Sequence, residues 1–128
     1  SGLCVDYLNG EPGIYSARYD STPQKRIEKL LKNLKNVPTE QRSAHFVCAM
    51  TLLDKKGEIL LATKGICNGI ISTEPRGQNG FGYDPIFLVD GQNGKTMAEL
   101  SEHQKNTISH RALALNKVIE FLTKSYKS

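Results

Sequence analysis

The spacing of apolar positions divides the chain into short segments, each with its own period. Residues 3–8, Leu-Cys-Val-Asp-Tyr-Leu, predict a short strand, and Asn9-Gly10 and Pro12-Gly13 mark turns after it. Residues 14–19 predict a compact loop or one helical turn. Ile27, Leu30, Leu31 and Leu34 then recur at i, i+3, i+4 and i+7, the stripe of an amphipathic helix. Ser21 and Gln24 fit a capping box at its start, with Pro23 in the first turn. Residues 44–53 and 58–65 are apolar and rich in strand formers. Asp54-Lys55-Lys56-Gly57 joins them into a β-hairpin. Phe46, Cys48, Met50 and Leu52 fall on one face of the first strand, and Val47, Ala49 and Leu53 on the other. That pattern predicts an inner strand covered on both sides.

Residues 69–72 predict another short strand and 86–89 a buried one, followed by a turn over 90–94. Ser101 and Gln104 fit a second capping box, opening a short helix at Glu102. Ser109 is placed as the N-cap of the last helix, with Ile108 and Leu113 at the positions of a hydrophobic staple. Ala112, Leu115, Val118, Ile119 and Leu122 are its expected buried stripe. Helices and strands alternate irregularly, with at least one antiparallel pair, so a mixed α/β or α+β domain is expected.

Composition narrows this picture. A chain of 128 residues has room for one domain and for a core that buries roughly two-thirds of the unfolded surface. With 38% hydrophobic residues it is not a disordered chain. No apolar run approaches the roughly 18 residues needed to span a membrane. No apolar h-region of a signal peptide stands near the start. The expected location is cytoplasmic, with no membrane partner. Lys and Arg total 17 against 13 Asp and Glu, a net charge of +4 that permits an anionic partner without demanding nucleic acid. Lys25, Arg26, Lys29, Lys32 and Lys35 give the first helix a basic face. Such a face binds phosphates or is simply solvated, and it lacks the interleaved aromatics of a single-strand binder. Cys4, Cys48 and Cys67 are odd in number and far apart, so three reduced, buried thiols are expected.

Three places hold candidate chemistry. The first is Ser109-His110-Arg111. If Ser109 is the N-cap, two cationic residue types occupy a first turn where the helix dipole disfavours positive charge. Free N–H groups and an arginine there can bind an acceptor or anion, and Lys105 lies one short turn upstream. The plainer alternative is two exposed side chains at a cost of tenths of a kcal/mol. The second is Gly80-Phe81-Gly82-Tyr83-Asp84-Pro85. An aromatic between glycines can offer its face to a planar ligand, and Asp84, expected in an extended conformation before Pro85, can accept from a ring N–H. The alternative is a turn whose aromatics fill the core. The third is Tyr15-Ser16-Ala17-Arg18, where Arg18 can reach a phosphate or pair with Asp84. His45 and His103 have no metal-ligand spacing and are read as non-functional. Together the three places suggest a purine-like ring on an aromatic, with cations and an aspartate at its edge.

These segments carry a resemblance. Ser1-Gly-Leu-x-Val-Asp6 and Leu8-Asn-Gly-Glu-Pro-Gly-Ile-Tyr-Ser-Ala-Arg-Tyr19 resemble the inosine triphosphate pyrophosphatase family, which hydrolyses non-standard purine nucleoside triphosphates such as ITP, dITP and XTP. Gly80-Phe-Gly-Tyr-Asp-Pro-Ile-Phe87 is similar to that family's base-binding motif. Thr96-Met-Ala-Glu-Leu-Ser101, then Lys105 and Ser109-His-Arg111, is similar to its C-terminal signature. The resemblance implies a mixed sheet flanked by helices, a homodimer, Mg²⁺ as cofactor, and release of monophosphate and pyrophosphate. It places Phe81 on the base and Asp84, Lys105, His110 and Arg111 around its polar edge. Ser1, Arg18, Gly82 and Tyr83 complete the expected substrate-binding set. In the family a pair of aspartates directly precedes the Ser-Gly-Leu that stands here at residues 1–3. A triphosphate-cradling Thr/Ser-Asn-x-x-Lys loop and a metal-binding Glu lie further upstream. None of these is found in this sequence. The expectation is therefore a C-terminal, N-terminally truncated portion that keeps the base reader, has no catalytic residue or metal ligand of its own and is inactive alone. A non-catalytic purine-nucleotide-binding module is the alternative.

Overall fold

A computed structural model describes residues 2–125. In chain order these form β1 (Gly2–Val5), β2 (Pro12–Gly13), α1 (Pro23–Asn33), β3 (Ser43–Leu53), β4 (Ile59–Ile71), β5 (Phe87–Val89), α2 (Glu102–Ile108) and α3 (His110–Ser125). Short 3-10 turns lie at Asp6–Leu8, Ser16–Arg18, Thr39–Gln41, Asp84–Ile86 and Met97–Glu99. The strands make one five-stranded sheet in the order β2-β1-β3-β4-β5. Helices and sheet combine as expected, but each neighbouring pair is antiparallel where a mixed sheet is predicted. The tight loop between β3 and β4 permits no other pairing. The edges are the two-residue β2 and the three-residue β5. Short edges offer little template to another chain.

The core lies on one face of the sheet. Leu3 and Val5 of β1, Leu30 and Leu34 of α1, Phe46 of β3, Ile71 of β4 and Phe87 of β5 are buried together. β3 is therefore covered on one side only. Ala44, Phe46 and Cys48 are buried while Val47 is half-buried and Ala49 exposed, which corrects the expectation of two covered faces. Cys48 and Cys67 are buried free thiols, and Cys4 is half-buried rather than buried.

Several boundaries differ for local reasons. β1 ends at Val5, and Asp6–Leu8 turn into a 3-10 helix. The first helix is capped by Thr22, not Ser21. Thr22 Oγ1 accepts from Lys25 N–H at 3.1 Å, because Pro23 at the first helical position sets the cap one residue before it. The segments expected at 58–65 and 69–72 are one strand, β4. Its glycines interrupt the apolar pattern because other elements press on it there. A Cβ on Gly65 would run into the His110 carbonyl of α3, and one on Gly69 into the Leu88 carbonyl and the Phe87 ring.

Gly65 also sets how α3 lies. The helix meets the sheet along His110 and Ala114, both buried, with Val118 half-buried. Leu115 and Ile119, expected in its buried stripe, are 47% and 51% exposed. At the other end of β4, the buried Arg42 donates to the carbonyls of Leu34 (2.8 Å), Ile71 (2.7 Å) and Ser72 (2.8 Å). Those bonds tie the end of α1 to the end of β4 and satisfy a guanidinium that burial would otherwise penalise.

Candidate functional site

The glycine-rich loop between β4 and β5 is pinned at both ends. Arg76 N–H donates to the Pro85 carbonyl at 2.9 Å, and Asn79 N–H to the Ala98 carbonyl at 2.9 Å. Between these anchors Gly80 has φ +99°, a conformation that favours glycine. A side chain there would collide with the Asp84 carboxylate and the Lys105 ammonium. Glycine at position 80 thus lets the acid and the amine meet. Asp84 opens the 3-10 turn rather than standing extended before Pro85.

Lys105 comes from α2, whose start is fixed by the expected capping box. Gln104 N–H donates to Ser101 Oγ at 3.2 Å and Ser101 N–H to Gln104 Oε1 at 3.0 Å. Lys105 Nζ lies 3.4 Å from Asp84 Oδ2, and the two side chains are 11% and 14% exposed. Phe81 N–H donates to the same oxygen at 3.2 Å. Burial raises the Asp84 carboxyl above its ordinary range, and the Phe81 N–H and Lys105 pull it partly back.

Ser109 caps α3 as expected, its Oγ accepting from Ala112 N–H at 3.1 Å. His110 and Arg111 are then sent to opposite environments. The His110 ring stacks on Phe46, centroids 4.8 Å apart and planes 14° from parallel. Burial first, and then the neighbouring Arg111, push its pKa down to about 4. The imidazole is neutral near pH 7, able to donate at one nitrogen and accept at the other. Arg111 instead lies over the Phe81 ring, its guanidinium carbon 4.5 Å from the centroid. Phe81 is 64% exposed, so the alternative of a core-filling aromatic does not hold for it. It does hold for Tyr83. That ring is buried, its hydroxyl donates to the Ser16 carbonyl at 2.7 Å, and burial pushes its pKa to about 12.

These residues line two cavities. The larger, about 640 Å³, is lined by Lys105, Asn106, Ser109 and Met50 among others. The smaller, about 180 Å³, is lined by Gly2, Ser16, Arg26, Gly82 and Tyr83 among others. Phe81, Asp84, His110 and Arg111 face both. The structure thus brings together Phe81, Gly82, Tyr83, Asp84, Lys105, His110 and Arg111. Ser1 lies outside the described residues. Arg18 does not join the group: it is exposed, it lines neither cavity, and Asp84 has Lys105 as its ion-pair partner. The arginine that reaches the smaller cavity is Arg26, assigned from sequence to the basic helix face. It lies one turn before the buried Leu30 on the same line of α1, which is the signal that could have found it.

The expected Mg²⁺ does not fit the donors present. Among the described residues no three His, Cys, Asp or Glu side chains converge as a metal would require. The carboxylates lining the two cavities are Asp84, committed to Lys105, and Glu102. Among the described residues no helix is long and apolar enough to cross a membrane.

The chain is similar to known proteins over most of its length. The model of the Ham1 family matches residues 1–121. The dITP/XTP pyrophosphatase of Synechocystis sp. is 50% identical over 119 residues, covering 93% of this chain and 60% of that protein. The dITP/XTP pyrophosphatase of Leuconostoc mesenteroides is 53% identical over 120 residues, covering 92% of this chain and 59% of that protein. The structure of the Staphylococcus aureus Ham1 protein superposes with a TM-score of 0.89 at 46% identity, over 97% of this chain and 64% of that one. The chain thus spans about 60% of the length of the curated relatives it matches.

Proposed function

This chain belongs to the Ham1 family, and on that premise we propose that it reads the base in the hydrolysis of non-standard purine nucleoside triphosphates to monophosphate and pyrophosphate. The observation that carries this reading is the exposed Phe81 ring framed by Lys105, Asp84, His110 and Arg111. Relatives at about half identity bear the name dITP/XTP pyrophosphatase.

In this reading the purine stacks on Phe81. A cation at its edge, Lys105 or Arg111, donates to the 6-keto oxygen of hypoxanthine or xanthine. Adenine turns an amino donor to the same cation and leaves it unpaired in a desolvated site, a penalty of roughly 1–3 kcal/mol. Neutral His110 borders the base, its ring held by its stack on Phe46. The paired and buried Asp84 orients Lys105 and serves no hydrolytic step. The chain by itself is proposed to bind without turnover, since its described residues offer no converging metal donors. The same observation favours a second reading, a non-catalytic purine-nucleotide module, which has the same base site.

Replacing Phe81 with Ala tests the site. Loss of a base stack is worth roughly 1–3 kcal/mol, so ITP affinity is expected to fall between about fivefold and a hundredfold by calorimetry. Unchanged ITP affinity would sink the base-site reading.

A further inference from the structure

Guanine carries the same 6-keto group as hypoxanthine and xanthine, so a cation at that edge cannot tell the three apart. We infer that Arg26 reads position 2 of the base, across N1 from the 6-keto group, and so tunes this site toward 2,6-dioxopurine nucleotides over hypoxanthine and guanine nucleotides. The inference rests on the base-site reading above.

Arg26 stands on α1, half-buried, and lines the smaller cavity with Gly82, Tyr83 and Asp84. Its Nε donates to the Asp20 carbonyl at 2.9 Å, which fixes the plane of the guanidinium fork. Among the described residues, its two terminal nitrogens have neither a hydrogen-bond partner nor a carboxylate in ion-pair reach. A half-buried fork that is oriented and left with open donors is suited to an acceptor brought by a ligand. Lys105 lines the larger cavity, and Phe81 and Asp84 line both cavities. Two donors from different helices thus border the cavities that share Phe81.

The three bases differ at position 2. Xanthine carries a keto acceptor there, which pairs with the open donors of Arg26. Hypoxanthine carries a hydrogen and gains nothing. Guanine carries an amino group, so donor faces donor and neither is satisfied. A donor–acceptor bond that involves a charged group discriminates by roughly tenfold to a hundredfold. A phosphate on Arg26 would be the other use of an open guanidinium. It would strengthen every nucleotide equally and select none.

The test is calorimetry of the chain with ITP, XTP and GTP, repeated on Arg26→Gln. XTP is expected to bind at least about tenfold more tightly than ITP, with GTP weakest. In Arg26→Gln the XTP-to-ITP affinity ratio is expected to collapse to within about twofold. Equal weakening of all three nucleotides would place Arg26 on a phosphate and overturn the inference. So would a ratio that Arg26→Gln leaves unchanged. If thermal melting shows that Arg26→Gln does not fold, Arg26→Lys decides by the same ratio, expected between the two. Binding of ITP with no preference for XTP overturns the inference and leaves the base site standing. No binding of any nucleotide removes both.

Discussion

Lys105 and Asp84 hold one another inside the protein, and neither can be changed alone without leaving a charge stranded. Removing one partner of a buried pair typically costs about 3–5 kcal/mol. Lys105→Met is expected to lower the urea midpoint accordingly and to abolish ITP binding, whereas a midpoint like the parent's would show the pair to be solvated. His110 makes a separate prediction about pH. Its folded pKa of about 4 lies below the ordinary 6.5, so between those values the unfolded chain binds the extra proton. Stability from the neutral ring is full above pH 6.5 and is lost as pH falls toward 4, over a span of at most about 3 kcal/mol. Asp84, raised by burial, acts in the opposite sense, since its ionisation as pH rises favours unfolding. Comparing the parent with His110→Asn isolates the histidine. Urea titrations at pH 4.5 and 7 are expected to show a smaller loss in the variant, and equal losses would contradict a neutral buried ring.

At the scale of elements, the site depends on where α3 can sit. Gly65→Ala places a methyl group against the His110 carbonyl and the Ala114 N–H. It is expected to cost about 1–3 kcal/mol, to lower the melting temperature and to weaken ITP binding as the first turn of α3 shifts. A variant with the parent's melting temperature and affinity would show that the contact is slack. This dependence also explains what the sequence could and could not reveal. The β3–β4 hairpin, the Ser101 capping box and the Ser109 cap are legible because each is set by neighbours a few residues away. The continuity of β4 is not, because Gly65 and Gly69 make sense only once α3 and Phe87 are packed on them. The stripe of α3 fails for the same reason: the helix turns on Gly65, so Ala114 is buried while Leu115 and Ile119 face outward. Phe81, Asp84, Lys105, His110 and Arg111 were legible as a group through the family motifs. Arg26 was hidden in a run of basic residues, where only its place one turn before Leu30 sets it apart.

At the scale of the molecule, the sheet has one covered face, and several apolar side chains are exposed, Ile14 at 89% the most open among them. A homodimer, implied by the family resemblance, is the assembly proposed for this chain. Light scattering on a sizing column is expected to give twice the monomer mass, and a clean monomer would refute it. The central proposal is narrower: that the chain recognises a 6-keto purine and does not by itself cleave the triphosphate. Its most direct test titrates ITP, and separately ATP, into the purified chain with Mg²⁺ present, with pyrophosphate followed in the same solution. The expected result is heat of binding for ITP, at least about tenfold weaker binding for ATP, and no pyrophosphate from either. Equal binding of the two nucleotides, or steady pyrophosphate release from ITP, would contradict the account.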